Sequence, residues 1–395
     1  MSPALEVSRL RAETPACERV LHFNNAGAAL PPVPVLEAQL QHLRLEAEIG
    51  GYEAADRAAP ACERAYAAVA ELLHARPDEI AVVENATRAF DMAFYAFPFR
   101  EGDRILASEV EYASNYLAFL QVARRTGALV EVVPSEDDGT ISIPALRAAL
   151  ARDDRARLVA LTHVPTNGGL VNPAEQVGRA CREAGVPFLL DACQSAGQMP
   201  LDVEELGCDV LSATARKFLR GPRGVGFLYV RRSLLDRLEP PFVDLHAATW
   251  TARDRYELRP DARRFENWEG NVAAKIGLGV AVDYALRVGL PAIRDRVRTL
   301  AARLREGLSA LPSVTVRDQG GEKCAIVTFD AKTRRASEIR DALRGRSVNV
   351  SVTTVTSTRL DMESRGLEEM VRASVHYYNT EEEVDRFCRE VAALL

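Results

Sequence analysis

Short apolar runs alternate regularly with helical patterns between about residues 60 and 230, and few folds accommodate such an alternation. Strand-length runs separated by amphipathic segments are typical of parallel strands joined by helices. The seven runs read EIAVVEN, RILASE, LVEVVPS, RLVALTHV, PFLLDA, CDVLSA and GVGFLYV. They predict an α/β fold with a mostly parallel seven-stranded sheet covered by helices. Ligands of such sheets bind at the carboxyl ends of the strands.

The rest of the chain predicts a second, smaller unit. A chain of 395 residues exceeds the size at which a single core stops growing. Residues 240–270 show weak periodicity and are predicted to form a long functional loop, before a helix that ends near Gly289 and Pro291. The pattern after this helix is helix, strand, helix, two strands and helix. The predicted units are a large domain over residues 20–285 and a smaller α+β domain formed by residues 1–19 and 286–395.

The composition restricts the partners. The formal net charge is −6, whereas nucleic acids and anionic membranes are bound by basic surfaces, so neither is expected as a partner. The seven Cys residues show no metal-ligand spacing, so no metal site is predicted, and they are interpreted as reduced thiols of a cytoplasmic protein. No apolar run reaches the roughly 18 residues of a membrane-spanning helix. A small molecule is the expected substrate.

One lysine is unusual because of the arginine-rich sequence around it. Of the 50 Lys and Arg residues only four are lysines, at positions 217, 275, 323 and 332. An arginine keeps its proton, whereas a lysine amine can lose its proton and attack a carbonyl. Lys217 is therefore a candidate Schiff-base residue, although a lone lysine is more often a solvated surface residue.

Polar residues that follow two predicted strands favour the reactive interpretation of this lysine. Asp191 ends the run PFLLDA and Gln194 follows it, while Thr214, Arg216 and Lys217 follow the run CDVLSA. A carboxylate and an amine at adjacent strand ends suit a pyridine cofactor, because the acid keeps the ring nitrogen protonated while the lysine forms a Schiff base. Asp191 and Lys217 are therefore the predicted catalytic pair.

The run EIAVVEN leads into a turn and a helix that suit a phosphate group. Free N–H groups at the start of a helix bind phosphate, so Ala86 and Thr87 are predicted to do so, with Thr214 and Arg216 completing the pocket. Tyr112 follows the next strand, where its ring would stack on the cofactor. The alternatives are an N-cap role for Thr87 and core packing for Tyr112.

Three motifs, in the order DACQSAG, RKFLRGPRGVGFLYV and VRASVHYYNTEEEVDRF, resemble the class V aminotransferase family of fold-type I pyridoxal 5'-phosphate (PLP) enzymes. The family includes cysteine desulfurases, selenocysteine lyases, isopenicillin N epimerases and ergothioneine-pathway C–S lyases. The resemblance extends from HFNNAGAALPP to NTEEEVD. It implies PLP as the cofactor, a small amino acid as the substrate, and a homodimer with shared active sites.

The resemblance also implies a role for each matching residue. Lys217 would hold PLP as a Schiff base, Asp191 would pair with the pyridinium, and Gln194 would bond to the phenolic oxygen. Arg372 stands where the family binds the substrate carboxylate, a task that suits a planar guanidinium. The alternative for Arg372 is a surface ion pair. Asn25 of HFNNAGAALPP is predicted on the substrate side.

Two segments depart from the family pattern. Many members read HVSNVTG where this chain reads HVPTNGG, so His163, Thr166 and Asn167 are all candidates to face the cofactor. His163 and Asn167 are predicted to bind substrate. Relatives offer a threonine to the phosphate of the partner subunit where ENWEGN places Glu269, so backbone N–H groups near Asn271 are predicted to serve instead.

The residues leave the reaction open among several PLP chemistries. Desulfurases of the family need a mobile cysteine in the loop before the carboxylate-binding arginine, and residues 349–374 contain no Cys. The segment EAEIGGYEAADRAAP resembles ergothioneine C–S lyases and makes Tyr52 a substrate-pocket candidate, with an exposed helical surface as the alternative. We expect β-elimination on a cysteine-derived conjugate. The alternatives are transamination, desulfurase or epimerase chemistry, and a non-catalytic binding protein.

Overall fold

The structure, a computed structural model, describes residues 5–395 and has the predicted α/β architecture. Its helices are α1 Val7–Ala12, α2 Val33–Ile49, α3 Gly51–Arg57, α4 Ala59–Leu73, α5 Ala86–Phe94, α6 Ala113–Thr126, α7 Ile143–Ala151, α8 Ala174–Ala184, α9 Val203–Leu206, α10 Arg232–Leu235, α11 Val272–Val288, α12 Leu290–Ser309, α13 Ala336–Arg344, α14 Arg359–Ser364 and α15 Glu381–Ala392. Its strands are β1 Leu21–His22, β2 Ile80–Val83, β3 Arg104–Ala107, β4 Leu129–Val132, β5 Ala156–Thr162, β6 Phe188–Asp191, β7 Val210–Thr214, β8 Gly226–Val230, β9 Ala248–Ala252, β10 Arg255–Leu258, β11 Val314–Val316, β12 Ile326–Ala331, β13 Val348–Asn349, β14 Ser351–Thr354 and β15 Glu369–Ser374. Short 3-10 helices cover Pro15–Glu18, Pro77–Glu79, Ala262–Phe265 and Val355–Ser357.

The large sheet contains the seven predicted strands in the order β2-β8-β7-β6-β5-β3-β4. The pairs from β7 to β4 are parallel, whereas β8 lies antiparallel to both β2 and β7. The prediction of a mostly parallel seven-stranded sheet is therefore confirmed. The loops that leave the parallel strands at their carboxyl ends all lie at the same edge of the sheet.

Both faces of the large sheet are covered. Along β2, Ile80 and Val82 belong to one apolar cluster and Ala81 and Val83 to another, as the alternation of side chains along a strand requires. Every residue of β6 and β7 is buried. Strands that are buried on both faces give continuous apolar runs, and the one charged residue of these two strands, Asp191, stands at a strand end.

The C-terminal part forms an antiparallel sheet in the order β11-β12-β15-β14. Helices α12 and α13 pack on this sheet, and α15 packs against both helices. The sequence predicted these elements except β11, whose three residues are too few to show an alternation of apolar and polar positions. Arg372 lies on the inner strand β15, opposite Thr328 of β12 and Ser351 of β14.

The first described segment of the chain contacts the C-terminal part. Strand β1 pairs in parallel with β13, the backbone N–H of Phe23 donates to the carbonyl of Asn349 (2.8 Å), and Asn24 forms a bridge with Ser374. These contacts are made by residues 21–24, which our proposal assigns to the large domain, while within residues 1–19 Arg11 donates to the carbonyl of Tyr378 (2.9 Å). The division into two domains stays a proposal. Strand β1 lies just beyond the proposed boundary at residue 19.

Residues 240–270 contain regular structure that the sequence did not predict. Strands β9 and β10 pair as an antiparallel hairpin in which Trp250 opposes Tyr256. Nearly all residues of both strands are exposed. The segment therefore shows no alternation of apolar and polar residues, which is the signal that a sequence prediction of strands requires.

Among residues 5–395, no single helix is long and apolar enough to cross a membrane. Helices α11 and α12 meet that test only when they are taken together, and the pair is bent by 78°.

Candidate active site

A cavity of about 510 Å³ opens at the carboxyl ends of the parallel strands. Its walls come from the turns after β6 and β7, the start of α5 and the residue before α6. The residues predicted to bind the cofactor that line it are Ala86, Thr87, Tyr112, Asp191, Gln194, Thr214, Arg216 and Lys217. The fold thus brings together side chains that are up to about 130 positions apart in the sequence.

Asp191 is the last residue of β6 and is buried. Its carboxylate accepts hydrogen bonds from Asn115 Nδ2 (2.9 Å) and from the backbone N–H of Cys193 (2.8 Å). Burial raises the pKa of this carboxyl, while the two hydrogen bonds and the charge of Lys217 oppose the rise. A cationic group bound in the cavity would add to the factors that favour the ionised form.

Lys217 follows β7 on a turn whose backbone is held at several points. The carbonyl of Arg216 accepts from the N–H of Ala29 (2.9 Å), and that of Lys217 accepts from the N–H of Arg220 (2.9 Å). Lys217 Nζ lies 3.2 Å from Cys193 Sγ and forms no ion pair within the described part of the chain. This half-buried amine faces the cavity, which differs from the solvated surface position considered as the alternative.

The start of α5 forms one end of the cavity. Asn85 is the N-cap residue, because its side chain accepts from the backbone N–H of Arg88 (2.9 Å), so Thr87 does not have the N-cap role considered as an alternative. The backbone N–H groups of Ala86 and Thr87 belong to the first turn and have no carbonyl partner within the helix. Arg216 also lines this cavity, and its guanidinium donates to the carbonyl of Gly27.

Tyr112 precedes α6 and is half-buried at the cavity wall. Its backbone N–H donates to Thr162 Oγ1 (3.4 Å). Thr162 in turn donates from its backbone N (2.8 Å) and its Oγ1 (2.7 Å) to the carboxylate of Glu111, which also accepts from Ser108 Oγ (3.0 Å). Burial raises the pKa of Glu111 to about 7, and the charge of Asp191 contributes to the rise. The sequence analysis did not identify this buried carboxyl.

Of the three candidates in HVPTNGG, Thr166 is the one that lines the cavity. Burial lowers the pKa of His163 to about 4, and its side chain lies outside the cavity lining. Asn167 is buried and donates to the carboxylate of Asp361. We therefore assign no substrate contact to His163 or Asn167.

Arg372 is a nearly buried cation without an anionic partner in the described chain. It is 9% exposed, and its Nη1 donates to the carbonyl (3.0 Å) and to the hydroxyl of Thr166. Burial, together with the nearby charge of Arg216, lowers its pKa to about 10. This environment differs from the surface ion pair considered as the alternative, and it favours an anion between Arg372 and the cavity.

Three other predicted residues lie elsewhere. Tyr52 is 74% exposed on α3 and does not reach the cavity. Asn25 is buried, donates to the carbonyl of Ser374 (2.7 Å) and accepts from the hydroxyl of Tyr378, so it connects segments of the fold. Asn271 caps α11 and lines a separate cavity of about 130 Å³. The predicted contact between Asn271 and the phosphate of a partner subunit stays a prediction.

Comparison with known proteins identifies the relatives of this chain. A profile described as Aminotransferase class-V matches residues 20–387. The chain belongs to the class V aminotransferase family. A "Probable cysteine desulfurase" from Xylella fastidiosa is 31% identical over 98% of this chain and 94% of its own length, and one from Pyrococcus abyssi is 29% identical over 96% and 95%. The apo structure of the cysteine desulfurase from Thermococcus onnurineus NA1 matches with a TM-score of 0.92 and 27% identity, over 100% of this chain and 98% of that one.

Class V aminotransferase enzymes use PLP, and the cavity of this family member fits that cofactor. Gln194 Oε1 and Arg372 Nε are buried and have no hydrogen-bond partner within residues 5–395. The amine of Lys217, the buried carboxylate of Asp191 and the guanidinium of Arg216 line the same space, which matches a ligand with a carbonyl carbon, a ring nitrogen and a phosphate. The protein is therefore a PLP-dependent enzyme.

Among the cavity residues that the sequence analysis did not predict, Cys193 and Asn115 contact the predicted catalytic pair. Cys193 stands between Asp191 and Gln194, and its thiol faces Lys217. Asn115 bonds to Asp191 from the first turn of α6. Its position three residues after Tyr112 was an available signal, because residues three apart on a helix lie on the same face.

Proposed function

We propose that this enzyme is a C–S lyase that eliminates the β-sulfur of a cysteine-derived amino acid. The observation that carries the proposal is that Lys217 and Asp191 line one cavity and that Arg372 donates to Thr166, another residue of its wall, while residues 349–374 supply no thiol. Relatives named as probable cysteine desulfurases support a sulfur-containing amino acid as the substrate class.

The proposed cofactor contacts follow from the walls of the cavity. Lys217 Nζ would form the covalent link to PLP, Asp191 would hold the proton on the pyridine nitrogen, and Gln194 would contact the phenolic oxygen. The first turn of α5 and Arg216 would bind the phosphate, because free amides and a guanidinium both favour an anion. Bound PLP would supply an electron sink that acidifies the proton on the substrate Cα.

The substrate is proposed to be oriented by its carboxylate. Arg372 has buried donors and no anionic partner, and a guanidinium offers two parallel donors to a carboxylate. Thr166 holds one side of the guanidinium through its hydroxyl and carbonyl, which limits its rotation. Arg372 would thus fix the substrate Cα relative to Lys217.

Lys217 is proposed to move the proton that starts the elimination. After the amino group of the substrate has displaced it from PLP, the free Nζ would take the proton from the substrate Cα, and the C–S bond would then break so that the sulfur leaves as an anion. Asp191 would stabilise the charge that develops, because its ionised carboxylate would keep the ring nitrogen of bound PLP protonated. Hydrolysis of the remaining fragment gives pyruvate and ammonia, so no protein thiol is required.

Desulfuration is the second candidate, since Cys193 Sγ lies 3.2 Å from Lys217 Nζ. Three features oppose it. Cys193 stands two residues after the end of β6, its backbone N–H is bonded to Asp191, and burial raises the pKa of its thiol. A sulfur acceptor must be a thiolate and must move in order to carry the sulfur away. The thiol of Cys193 has a raised pKa and its backbone is held by Asp191, so it meets neither requirement.

The test is a product analysis on L-cysteine, cystine and S-substituted cysteines. Elimination predicts equal amounts of pyruvate and ammonia, desulfuration predicts alanine and a persulfide, and transamination predicts turnover only with an added keto acid. Cys193→Ala is expected to retain at least about a tenth of the elimination rate, with Cys324→Ala, a buried cysteine outside the cavity, as the matched control. Alanine as the main product, together with loss of activity in Cys193→Ala alone, would establish desulfuration instead.

A further inference from the structure

Arg220 is a buried cation three residues after Lys217. Only 1% of it is exposed. Its Nε donates to the carbonyl of Leu30 (2.8 Å), its Nη1 to the hydroxyl of Tyr377 (2.7 Å), and its Nη2 to the hydroxyl of Thr14. No carboxylate in the described chain pairs with it, so neutral acceptors satisfy all of these donors.

Aromatic rings replace the missing counter-ion. The guanidinium carbon lies 4.6 Å from the ring centre of Tyr378, 5.2 Å from that of Tyr377 and 5.6 Å from that of Tyr284. The faces of aromatic rings attract cations, and this attraction strengthens where water is excluded. A buried charge is nevertheless a poor source of stability, because apolar side chains of similar volume serve as well. A role beyond packing therefore accounts better for an arginine here.

The backbone of Arg220 closes the turn that carries Lys217. Its φ is +60°, in the left-handed region that is unfavourable for a residue with a side chain. In this conformation its N–H donates to the carbonyl of Lys217 (2.9 Å), and the N–H of Gly221 donates to the carbonyl of Ala215 (2.8 Å). The side-chain anchors of Arg220 thus hold a strained residue in the conformation that shapes the lysine turn.

The same cluster reaches the strand that carries Arg372. Tyr377 lies three residues after the end of β15. The neighbouring His376 donates from Nε2 to the carbonyl of Phe218 (3.1 Å), and its Nδ1 accepts from the N–H of Tyr377 (2.9 Å). Two side-chain bonds therefore connect the lysine turn to the segment that follows the substrate-side arginine.

We propose that Arg220 is a positioning residue that fixes the Lys217 amine relative to the Arg372 guanidinium. The inference rests on the roles proposed above for Lys217 and Arg372. Substrate bound through its carboxylate presents its Cα at a set distance from Arg372, and the amine must stand at that distance to take the proton. Without Arg220 the lysine turn relaxes, and the two groups lose their fixed separation.

The test compares Arg220→Met with Arg264→Met, first while the apoenzyme takes up PLP and then in the PLP-loaded enzyme. Arg264 is a matched control, because it is 5% exposed, donates to the carbonyls of Arg259 (2.7 Å) and Leu235 (2.9 Å), and lies outside the cavity. The first measurement is the rate at which borohydride can trap PLP after PLP is added to the apoenzyme. The second measurement is steady-state kinetics, which gives KM and gives kcat per site that borohydride can trap. Arg220→Met is expected to slow trapping and to lower kcat/KM about 100-fold with both constants affected. Arg264→Met is expected to change both quantities less than about twofold.

Dividing the rate by the number of trapped sites distinguishes a loss of positioning from a loss of folded protein. A merely structural defect lowers the number of sites and leaves the KM of the remaining sites unchanged. If Arg220→Met does not fold, Arg220→Lys keeps the cation with fewer donors and is expected to lose about tenfold in kcat/KM. Wild-type trapping rates and kinetics in the folded variant, or an equal loss in Arg264→Met, would overturn the proposal. Lys217→Ala tests the underlying function separately, because trapped PLP in that variant refutes the role of Lys217 whatever Arg220 does.

Discussion

At the scale of single residues, Arg372 is a buried cation without an anionic partner in the described chain, and we propose that it binds the substrate carboxylate. Arg372→Ala is expected to raise KM for the amino-acid substrate by about 10–100-fold, because a hydrogen-bonded charge pair contributes about 1.5–3 kcal/mol. Arg372→Lys should have a KM nearly as high as that of Arg372→Ala, since an ammonium cannot reproduce the two parallel donors of a guanidinium. Steady-state kinetics measures both effects, and the amount of trapped PLP serves as the control because Arg372 is proposed to hold substrate. An unchanged KM in Arg372→Ala would remove this residue from the substrate site.

Glu111 leads to a prediction of how stability depends on pH. Burial raises the pKa of its carboxyl from 4.5 to about 7, so the folded state binds its proton more tightly than the unfolded state does. The contribution of Glu111 to the free energy of unfolding is therefore fully present below about pH 4.5. It is lost as the pH rises to about 7, and the total loss is about 3 kcal/mol. Glu111→Gln cannot titrate and should lack this part of the pH dependence. Urea unfolding of both proteins between pH 4.5 and 8 measures the difference, and parallel curves would contradict the prediction.

At the scale of secondary-structure elements, Gly226 allows β8 to pass close to the start of α5. A Cβ at this position would stand 2.5 Å from the carbonyl oxygen of Ala213 and 2.9 Å from the carbonyl carbon of Asn85. Gly226→Ala is expected to lower the free energy of unfolding by about 1–3 kcal/mol and to weaken PLP binding, because the turn that we propose to bind the phosphate must shift. The control is Gly51→Ala, where a Cβ meets nothing within 4 Å. Thermal unfolding and PLP titration check both variants, and equal behaviour would refute the steric account.

The elements also show why sequence reasoning succeeded for one part of the fold and not for another. The strands of the large sheet were predictable because burial on both faces makes them continuous apolar runs. The β9–β10 hairpin was not predictable, because its strands are exposed and their pairing depends on neighbours in space. Asp191 and Lys217 could be found at strand ends, whereas the contact of Cys193 with Lys217 depends on the direction of a side chain within a turn. Arg220 gave no signal among 46 arginines, since its burial arises from contacts with distant segments.

At the scale of the whole molecule, we propose a homodimer. Trp268 lines the same cavity as Asn271 and is exposed, and Phe242 and Leu245 of the segment 240–270 are exposed as well. Trp268→Asp is expected to weaken association more than about tenfold, because a charge would be buried in the interface. Leu129→Asp is the control: Leu129 and Trp268 are both 56% exposed, but Leu129 lies on β4, the edge strand opposite β2. Sedimentation measures both, and a fully active wild-type monomer would contradict the proposal.

The central claim is that Lys217 is the residue that binds PLP covalently. The chain contains only four lysines, at positions 217, 275, 323 and 332, so reduction of the holoenzyme with borohydride followed by peptide mass spectrometry gives an unambiguous assignment. Lys275 serves as an internal control, because its amine is bonded to the hydroxyl of Tyr66 (2.9 Å) outside the main cavity. The account predicts the reduced cofactor on the peptide that contains Lys217 and on no other. Cofactor on the peptide of any of the other three lysines, with Lys217 unmodified, would contradict it.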